Sequence, residues 1–155
     1  HGRTVYFVVT DRFARDGHDG DAACGGGDWC GGNFNGVRGK LDYIQGMGFD
    51  AIWITPVVKQ LTSRNPSNET AYHGYWASDF SKIEPHLGSE NDLLNLRSEL
   101  SRRGMLLMLD VVANHVGPLH SLDDVQRLAA PLNRVDGASF HQLGRLTRES
   151  FAEYI

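Results

Sequence analysis

Three continuous apolar runs divide the first 115 residues of the chain. They cover residues 4–10, 50–55 and 105–112, and the second run stops at Pro56. Runs of this length, rich in β-branched and aromatic residues, are typical of strands buried on both faces of a parallel sheet. The pattern therefore predicts three buried parallel strands.

Two stretches between these runs have helical periodicity. In the first, Asn35 is a candidate N-cap, and in the second Ser89 precedes first-turn acids. Glycines 46 and 48 end the first helix, and Gly104 ends the second. The apolar faces consist of Val37, Leu41 and Ile44 in one helix and Leu93, Leu96 and Leu100 in the other. Alternation of strands and helices predicts an α/β fold with a parallel sheet.

Polar residues lie at or directly after the carboxyl end of each predicted strand, and long loops follow the first two strands. The polar positions are Asp11 and Arg12, Thr55, and Asp110, Asn114 and His115. In α/β barrels the active site lies at the carboxyl ends of the strands, in the loops that follow them. The loops over residues 14–35 and 56–77 favour a barrel over a doubly wound sheet, which periodicity alone does not distinguish.

Composition limits the classes of partner. The 155 residues are 41% hydrophobic and 22% charged, and 15 Lys and Arg against 19 Asp and Glu give a net charge of −4. Without a basic cluster we expect no nucleic-acid or anionic-membrane partner. No apolar stretch reaches the roughly 18 residues of a membrane span. The chain opens at His1 without a signal peptide, so we expect it to be processed or excised.

Two features bear on the cellular compartment. Cys24 and Cys30 do not have C-x-x-C spacing, and they form either a short disulfide loop or two unlinked thiols. A disulfide indicates an oxidising compartment. Asn68 begins the N-glycosylation sequon Asn-Glu-Thr in a polar loop. Together these features predict secretion.

Two clusters carry candidate chemistry. Residues 110–115 (DVVANH) place Asp110, Asn114 and His115 at the end of the third strand, where Asn114 offers a hard oxygen ligand and His115 a sugar-facing imidazole. The alternative is an Asn that caps a turn and a His that only packs. Residues 71–76 (AYHGYW) combine three aromatic rings with His73, and such rings stack on pyranoses. Here the alternative is a small core that anchors the loop.

These segments together resemble glycoside hydrolase family 13, and within it the secreted fungal-type α-amylases. The resemblance runs from about Val5 to Gly117 and is carried by residues 5–15, 40–57, 71–76 and 103–117. It implies the first three β/α units of an eight-fold (β/α)8 TIM barrel over residues 1–117. Residues 118–155 would begin the domain inserted after the third strand.

The resemblance also implies roles for individual residues. Tyr75 would stack on the sugar at the cleavage subsite, where His115 would bind the same sugar by a hydrogen bond. His73 and Trp76 would line the neighbouring donor-side subsite. Asn114 would supply one ligand of a structural calcium ion, while Asp110 would orient the catalytic centre from behind. Cys24 and Cys30 match the first disulfide of the family.

The reacting carboxylates of this family follow later strands, so the resemblance implies that this chain lacks them. Residues 134–136 (RVD), with His141 beyond, superficially resemble the nucleophile motif. No apolar strand precedes them, and Asp136-Gly137 is typical of a turn. We therefore reject Asp136 as the nucleophile.

The parent protein is expected to hydrolyse α-1,4-glucosidic bonds in starch or maltooligosaccharides, with retention, as a calcium-stabilised monomer. One alternative is a 4-α-glucanotransferase of the same family, although His115 favours hydrolysis. A second alternative is a non-catalytic, truncated or vestigial glucan-binding product. The 155 residues alone are expected to be inactive.

Overall fold

The computed structural model describes residues 2–17, 25–65, 67–119 and 122–133. The chain divides into two units, His1–Pro118 and Leu119–Ile155. In chain order the elements are β1 Val5–Val8, α1 Thr10–Phe13, α2 Phe34–Gly39, α3 Leu41–Gly46, β2 Ala51–Ile54, β3 Val58–Gln60, β4 Ala77–Ile83, α4 Glu90–Arg102, β5 Leu106–Leu109 and α5 Leu122–Gln126.

The three predicted strands form one parallel sheet in the order β1-β2-β5. Phe7, Trp53 and Met108 are in register across it. This confirms the parallel α/β prediction, although each strand is shorter than its apolar run. β1 ends early because the chain turns into the single helical turn α1 at Thr10, a buried residue whose amide donates to the hydroxyl of Thr55 over 3.2 Å.

Only one face of this sheet is covered by the described residues. Val8, Ile52 and Ile54 pack into a core with Phe34, Val37, Leu41, Ile44, Leu96 and Leu100 from the helices. On the opposite face Phe7 is 46%, Trp53 37% and Met108 48% exposed. The expectation of burial on both faces is therefore wrong within the described residues, since side chains alternate and the helices pack on one side.

The first predicted helix is two short helices. Asn33, not Asn35, caps α2, accepting a hydrogen bond from the amide of Gly36 over 2.8 Å. The side chain of Asn35 instead donates to Asp92 over 3.0 Å. Lys40, with φ −106° and ψ 11°, leaves the helical conformation between α2 and α3. The predicted apolar face survives this break, and its three residues are fully buried.

Helix α4 has the predicted ends. The hydroxyl of Ser89 accepts from the amide of Asp92, whose carboxylate accepts from the amide of Ser89, which completes a capping box. Gly104 follows the helix with φ +69°. Leu96 and Leu100 are buried, while Leu93 is partly buried against the same core.

Strand β3 lies inside the region predicted to be a loop up to about Ala77, and it pairs with β4, which begins at Ala77, in an antiparallel hairpin. Its pairing is irregular around Lys59. Its buried side chains include Gln60 and Asp79, with Glu84 directly after β4. Because polar residues occupy buried positions, the hydrophobic pattern does not reveal these strands.

In the second unit the described residues comprise α5 and the turn that follows it. Leu128 is buried, and Arg127 pairs with Asp124. The assignment of this unit to an inserted domain stays a prediction, and residues 134–141 lie outside the described residues. Across the described ranges, no helix is long and apolar enough to cross a membrane.

Candidate functional site

The aromatic segment, residues 71–76, lies just before β4 and packs against the chain that follows β2. Gly74 has φ +87°, and a Cβ there would lie 2.6 Å from the carbonyl oxygen of Pro56. The amide of Gly74 donates to the carbonyl of Ala71, which forms a tight turn. Only glycine fits this position without strain, so Gly74 fixes the segment against the carboxyl end of β2.

His73 is at the centre of the rings in this segment. Its ring is stacked with that of Tyr75 at 5.6 Å and lies edge-on to those of Trp76 at 4.6 Å and Tyr72 at 5.2 Å. All four side chains are partly buried. The rings thus pack on one another, as a loop-anchoring core does, and still offer exposed surface.

The hydrogen bonding of His73 fixes its tautomer. Its Nδ1 accepts the amide hydrogen of Tyr75 over 3.0 Å, so the neutral ring carries its proton on Nε2. Burial lowers the pKa of His73, which favours this neutral form. His73 is therefore a hydrogen-bond donor of fixed orientation, suited to an uncharged hydroxyl oxygen.

Tyr75 and Asp110 join the aromatic segment to the end of β5. The Tyr75 hydroxyl donates to Oδ2 of Asp110 over 2.7 Å. Asp110 itself is held against the sheet, since its amide donates to the carbonyl of Ile54. Burial, reinforced by this hydrogen bond and by the charge of Asp110, raises the pKa of Tyr75 to about 12. Tyr75 is neutral at physiological pH, with its hydroxyl already engaged.

Asn114 and His115 are exposed and contact each other, with 3.4 Å between Nδ2 and Nδ1. Further along the chain, Gly117 packs closely against the aromatic segment, because a Cβ added to Gly117 would lie 2.9 Å from the Cβ of Trp76. The amide of Gly117 donates to the carbonyl of Ala77. Asp110 and Gly117 therefore both contact the aromatic segment or the residue after it. The roles of Asn114 and His115 in calcium and sugar binding stay predictions.

The remaining predicted residues lie on other loops. Cys30 is buried, whereas Cys24 lies outside the described residues, so their pairing stays a prediction. Asn68 is exposed, with φ +62°. Thr70 of the same sequon is buried, and its hydroxyl donates to the carbonyl of Gly27 over 3.0 Å.

The sequence assigned no specific role to Arg12, which connects the loop after β1 to the aromatic segment. Its guanidinium lies 3.6 Å from the centroid of the Tyr72 ring and donates to the carbonyls of Gly26 and Asp28. Such a cation–π contact adds to the packing of the ring. The signal available in the sequence was a charged residue directly after an apolar run.

Its neighbour Asp11 anchors the same loop from within the protein. Asp11 is 1% exposed. Its carboxylate accepts from the amides of Cys30 and Gly31 over 2.8 and 2.9 Å. A buried carboxylate requires such partners, so Asp11 and Arg12 together tie the loop after β1 to the aromatic segment.

The predicted calcium ligand Asn114 has no cluster of acidic side chains around it within the described residues. Calcium takes six to eight oxygen ligands. Within the described ranges there is no group of three or more His, Cys, Asp or Glu placed to hold a metal ion. The exposed amide of Asn114 is a ligand of suitable chemistry, but it is a single one.

Partly exposed aromatic rings, a fixed imidazole donor and a carboxylate meet at the carboxyl edge of a parallel sheet. In α/β barrels this edge carries the active site, and partly exposed aromatic rings there offer flat apolar surface to a ligand. The chain belongs to the α-amylase family, whose catalytic domain matches residues 7–131.

Individual relatives agree with this assignment. Alpha-amylase 1 of Schizosaccharomyces pombe is 43% identical over 141 residues, which are 90% of this chain and 22% of the relative. The solved α-amylase of Malbranchea cinnamomea is 46% identical, with a TM-score of 0.78, and the match covers 86% of this chain and 29% of that one. A solved cyclomaltodextrin glucanotransferase is 30% identical, with a TM-score of 0.66, over 82% of this chain and 28% of that one. The chain spans about a fifth of the length of the curated relatives it matches.

Proposed function

We propose that this chain is the sugar-holding, amino-terminal part of a secreted α-amylase that hydrolyses α-1,4-glucosidic bonds in starch and maltooligosaccharides with retention. The observation that carries the proposal is the hydrogen bond from Tyr75 to Asp110, which presents the aromatic segment at the carboxyl edge of the sheet. Membership of the α-amylase family supports it.

In this function the aromatic segment binds and orients one region of the glucan. Tyr75 offers a ring face for stacking on a pyranose, because its hydroxyl is engaged with Asp110. The Nε2–H of His73 donates to a sugar hydroxyl. Trp76 lines the donor side next to His73, and His115 hydrogen-bonds the sugar that stacks on Tyr75.

The reacting groups come from outside these described residues. Retaining hydrolysis uses a nucleophilic carboxylate and an acid separated by about 5 Å. Asp110 is the carboxylate that meets the aromatic segment, and it is occupied by the Tyr75 hydroxyl. We assign Asp110 to orienting Tyr75 and propose that both catalytic carboxylates are supplied by a longer parent protein.

The parent fold follows from the same proposal. The sheet β1-β2-β5 and its helices are the first three units of a (β/α)8 barrel, and residues 118–155 begin the inserted domain. The exposed row of Phe7, Trp53 and Met108 then faces the barrel interior. Asn114 supplies one calcium ligand and later segments supply the others, in a monomeric protein with a Cys24–Cys30 disulfide and a glycan on Asn68.

A 4-α-glucanotransferase is the second candidate. The observation that favours it is the similarity to a cyclomaltodextrin glucanotransferase over 82% of this chain. Both reactions begin with the same sugar-binding step, so the described residues serve either.

Product analysis of the parent protein distinguishes these candidates. The parent, secreted into the medium and incubated with maltoheptaose, should release shorter maltooligosaccharides, initially as the α-anomer by NMR. Longer or cyclic products in mass spectra would establish the transferase. Initial β-anomer, or no cleavage, would contradict the proposal.

A further inference from the structure

Two consecutive amides of the aromatic segment are held by side chains, whereas the carbonyl of Trp76 accepts from the backbone amide of Leu61 over 2.9 Å. The amide of Tyr75 donates to the imidazole of His73, and the next amide, that of Trp76, donates to Oε1 of Gln60 over 2.7 Å. Backbone donors inside proteins require such partners. The position of the Trp76 amide therefore depends on a side chain from β3.

The side chain of Gln60 is buried and fixed by hydrogen bonds at both ends of its amide group. It is 1% exposed, and burying a polar amide is unfavourable unless it is hydrogen-bonded. Its Oε1 accepts from Trp76, and its Nε2 donates to the carbonyl of Val58 over 2.8 Å. Both ends of the amide are thereby satisfied, which fixes the side chain in one orientation.

Glu84 fixes Gln60 in turn. Glu84 is 3% exposed, and its Oε2 accepts from the amide of Gln60 over 2.8 Å. Its other oxygen accepts from the amide of His86 over 3.2 Å and lies against Nδ1 of the same residue. The His86 ring stacks on Trp29 at 4.1 Å with an interplanar angle of 3°. The network thus runs from the loop after β1 to the aromatic segment.

We propose that Gln60 and Glu84 are positioning residues for sugar binding, which hold the Trp76 backbone so that the neighbouring Tyr75 and His73 meet the glucan in a fixed geometry. This inference rests on the proposed function of the aromatic segment. Neither residue touches the sugar, and both act through the Trp76 amide.

The test compares Gln60→Met and Glu84→Gln with Ser78→Ala in the full-length parent protein. Gln60→Met keeps the approximate size of the side chain but leaves the Trp76 amide without an acceptor. Ser78→Ala is a matched control, because its hydroxyl donates to the carbonyl of Gln60 in the same hairpin without contacting that amide. The readouts are amide hydrogen exchange at Trp76 and the KM and kcat for a blocked chromogenic maltoheptaoside.

Loss of one buried hydrogen bond should accelerate exchange at Trp76 about 10-fold and raise KM about 10-fold in Gln60→Met, with kcat changed by less than about 3-fold. Glu84→Gln should shift both readouts in the same direction by a smaller factor. Ser78→Ala should leave both readouts unchanged. Exchange at the amide of Gly117, which donates to the carbonyl of Ala77, should be the same in all variants.

Unchanged exchange at Trp76 in Gln60→Met would overturn the proposal, as would faster exchange with an unchanged KM. An equal rise of KM in Ser78→Ala would also overturn it, since general weakening of the hairpin would then suffice. Should the unaltered parent cleave no maltooligosaccharide, the proposed function fails separately. Exchange at Trp76 would still decide whether Gln60 holds the segment.

Discussion

Tyr75 and Asp110 are 35 positions apart in the sequence, and a 2.7 Å hydrogen bond joins the phenol of one to the carboxylate of the other. The bond connects the segment before β4 with the end of β5. Because Asp110 is placed by the pairing of β5 with β2, the orientation of Tyr75 depends on the assembled sheet.

This pairing gives Tyr75 a distinctive titration. Its pKa should be about 12, mainly because of burial and then because of Asp110. A folded-state pKa above the unfolded value of about 10 stabilises the protein below pH 10. That contribution is lost as pH rises from 10 to about 12. Tyrosinate absorbance should include a component that titrates near pH 12, and Tyr75→Phe should remove this component together with its share of the alkaline loss of stability. A tyrosine spectrum that is complete near pH 10 would contradict the assignment.

A second prediction concerns Gly74. Gly74→Ala places a Cβ 2.6 Å from the carbonyl oxygen of Pro56 at a residue with φ +87°. It should lower the free energy of unfolding by about 2 kcal/mol, measured by urea denaturation of the parent protein. Gly39→Ala is the matched control, because its added Cβ would lie within 4 Å of no atom beyond its chain neighbours and the backbone of its own helix α2, which Gly39 ends. This variant should be neutral or stabilising by up to about 1 kcal/mol. An equal change in the free energy of unfolding in the two variants would contradict the close approach of Gly74 to the carbonyl of Pro56.

The hydrophobic and polar pattern of the sequence encodes some elements of this fold and not others. The parallel strands and the ends of α4 were predictable, because apolar runs and the Ser89–Asp92 capping box are local signals. The β3–β4 hairpin was not, since its buried positions include Gln60 and Asp79, which resemble loop residues in the sequence.

The site divides in the same way. Residues 71–76 and Asp110 were recognisable as clusters of chemistry-bearing side chains, but their junction through Tyr75 is a tertiary contact that no spacing encodes. The contact of Arg12 with Tyr72 was equally hidden, because it joins α1 to the aromatic segment, 60 positions along the chain. The N-cap of α2 was misassigned by two residues, since Asn33 and Asn35 are equally good caps by type.

The uncovered face of the sheet supports a third prediction. In the 155-residue chain, the row of Phe7, Trp53 and Met108 is exposed, and the rings of Phe7 and Trp53 pack edge to face at 4.8 Å. Contiguous apolar surface of this kind promotes association. The isolated chain should bind a hydrophobic dye and self-associate in sedimentation experiments. Trp53→Lys should reduce both effects, and a monomeric, dye-silent chain would contradict the proposed barrel-facing role.

Calcium provides a fourth prediction. The proposed function gives Asn114 as one oxygen ligand of the six to eight that calcium requires, so calorimetry of the isolated chain should detect no site tighter than about millimolar. In the parent protein, chelation should lower the melting temperature, and Asn114→Ala should weaken calcium binding. Micromolar affinity in the isolated chain would show that the ligands are elsewhere.

The most direct test of the account compares hydrolysis of a chromogenic maltoheptaoside by the parent protein and by the purified 155-residue chain. In the proposed function the described residues hold the sugar, and both reacting carboxylates lie elsewhere. The parent should therefore turn over, and the chain alone should not, because loss of both groups removes most of the rate acceleration. Turnover by the chain alone that disappears in Asp136→Ala would contradict the account and identify Asp136 as the nucleophile.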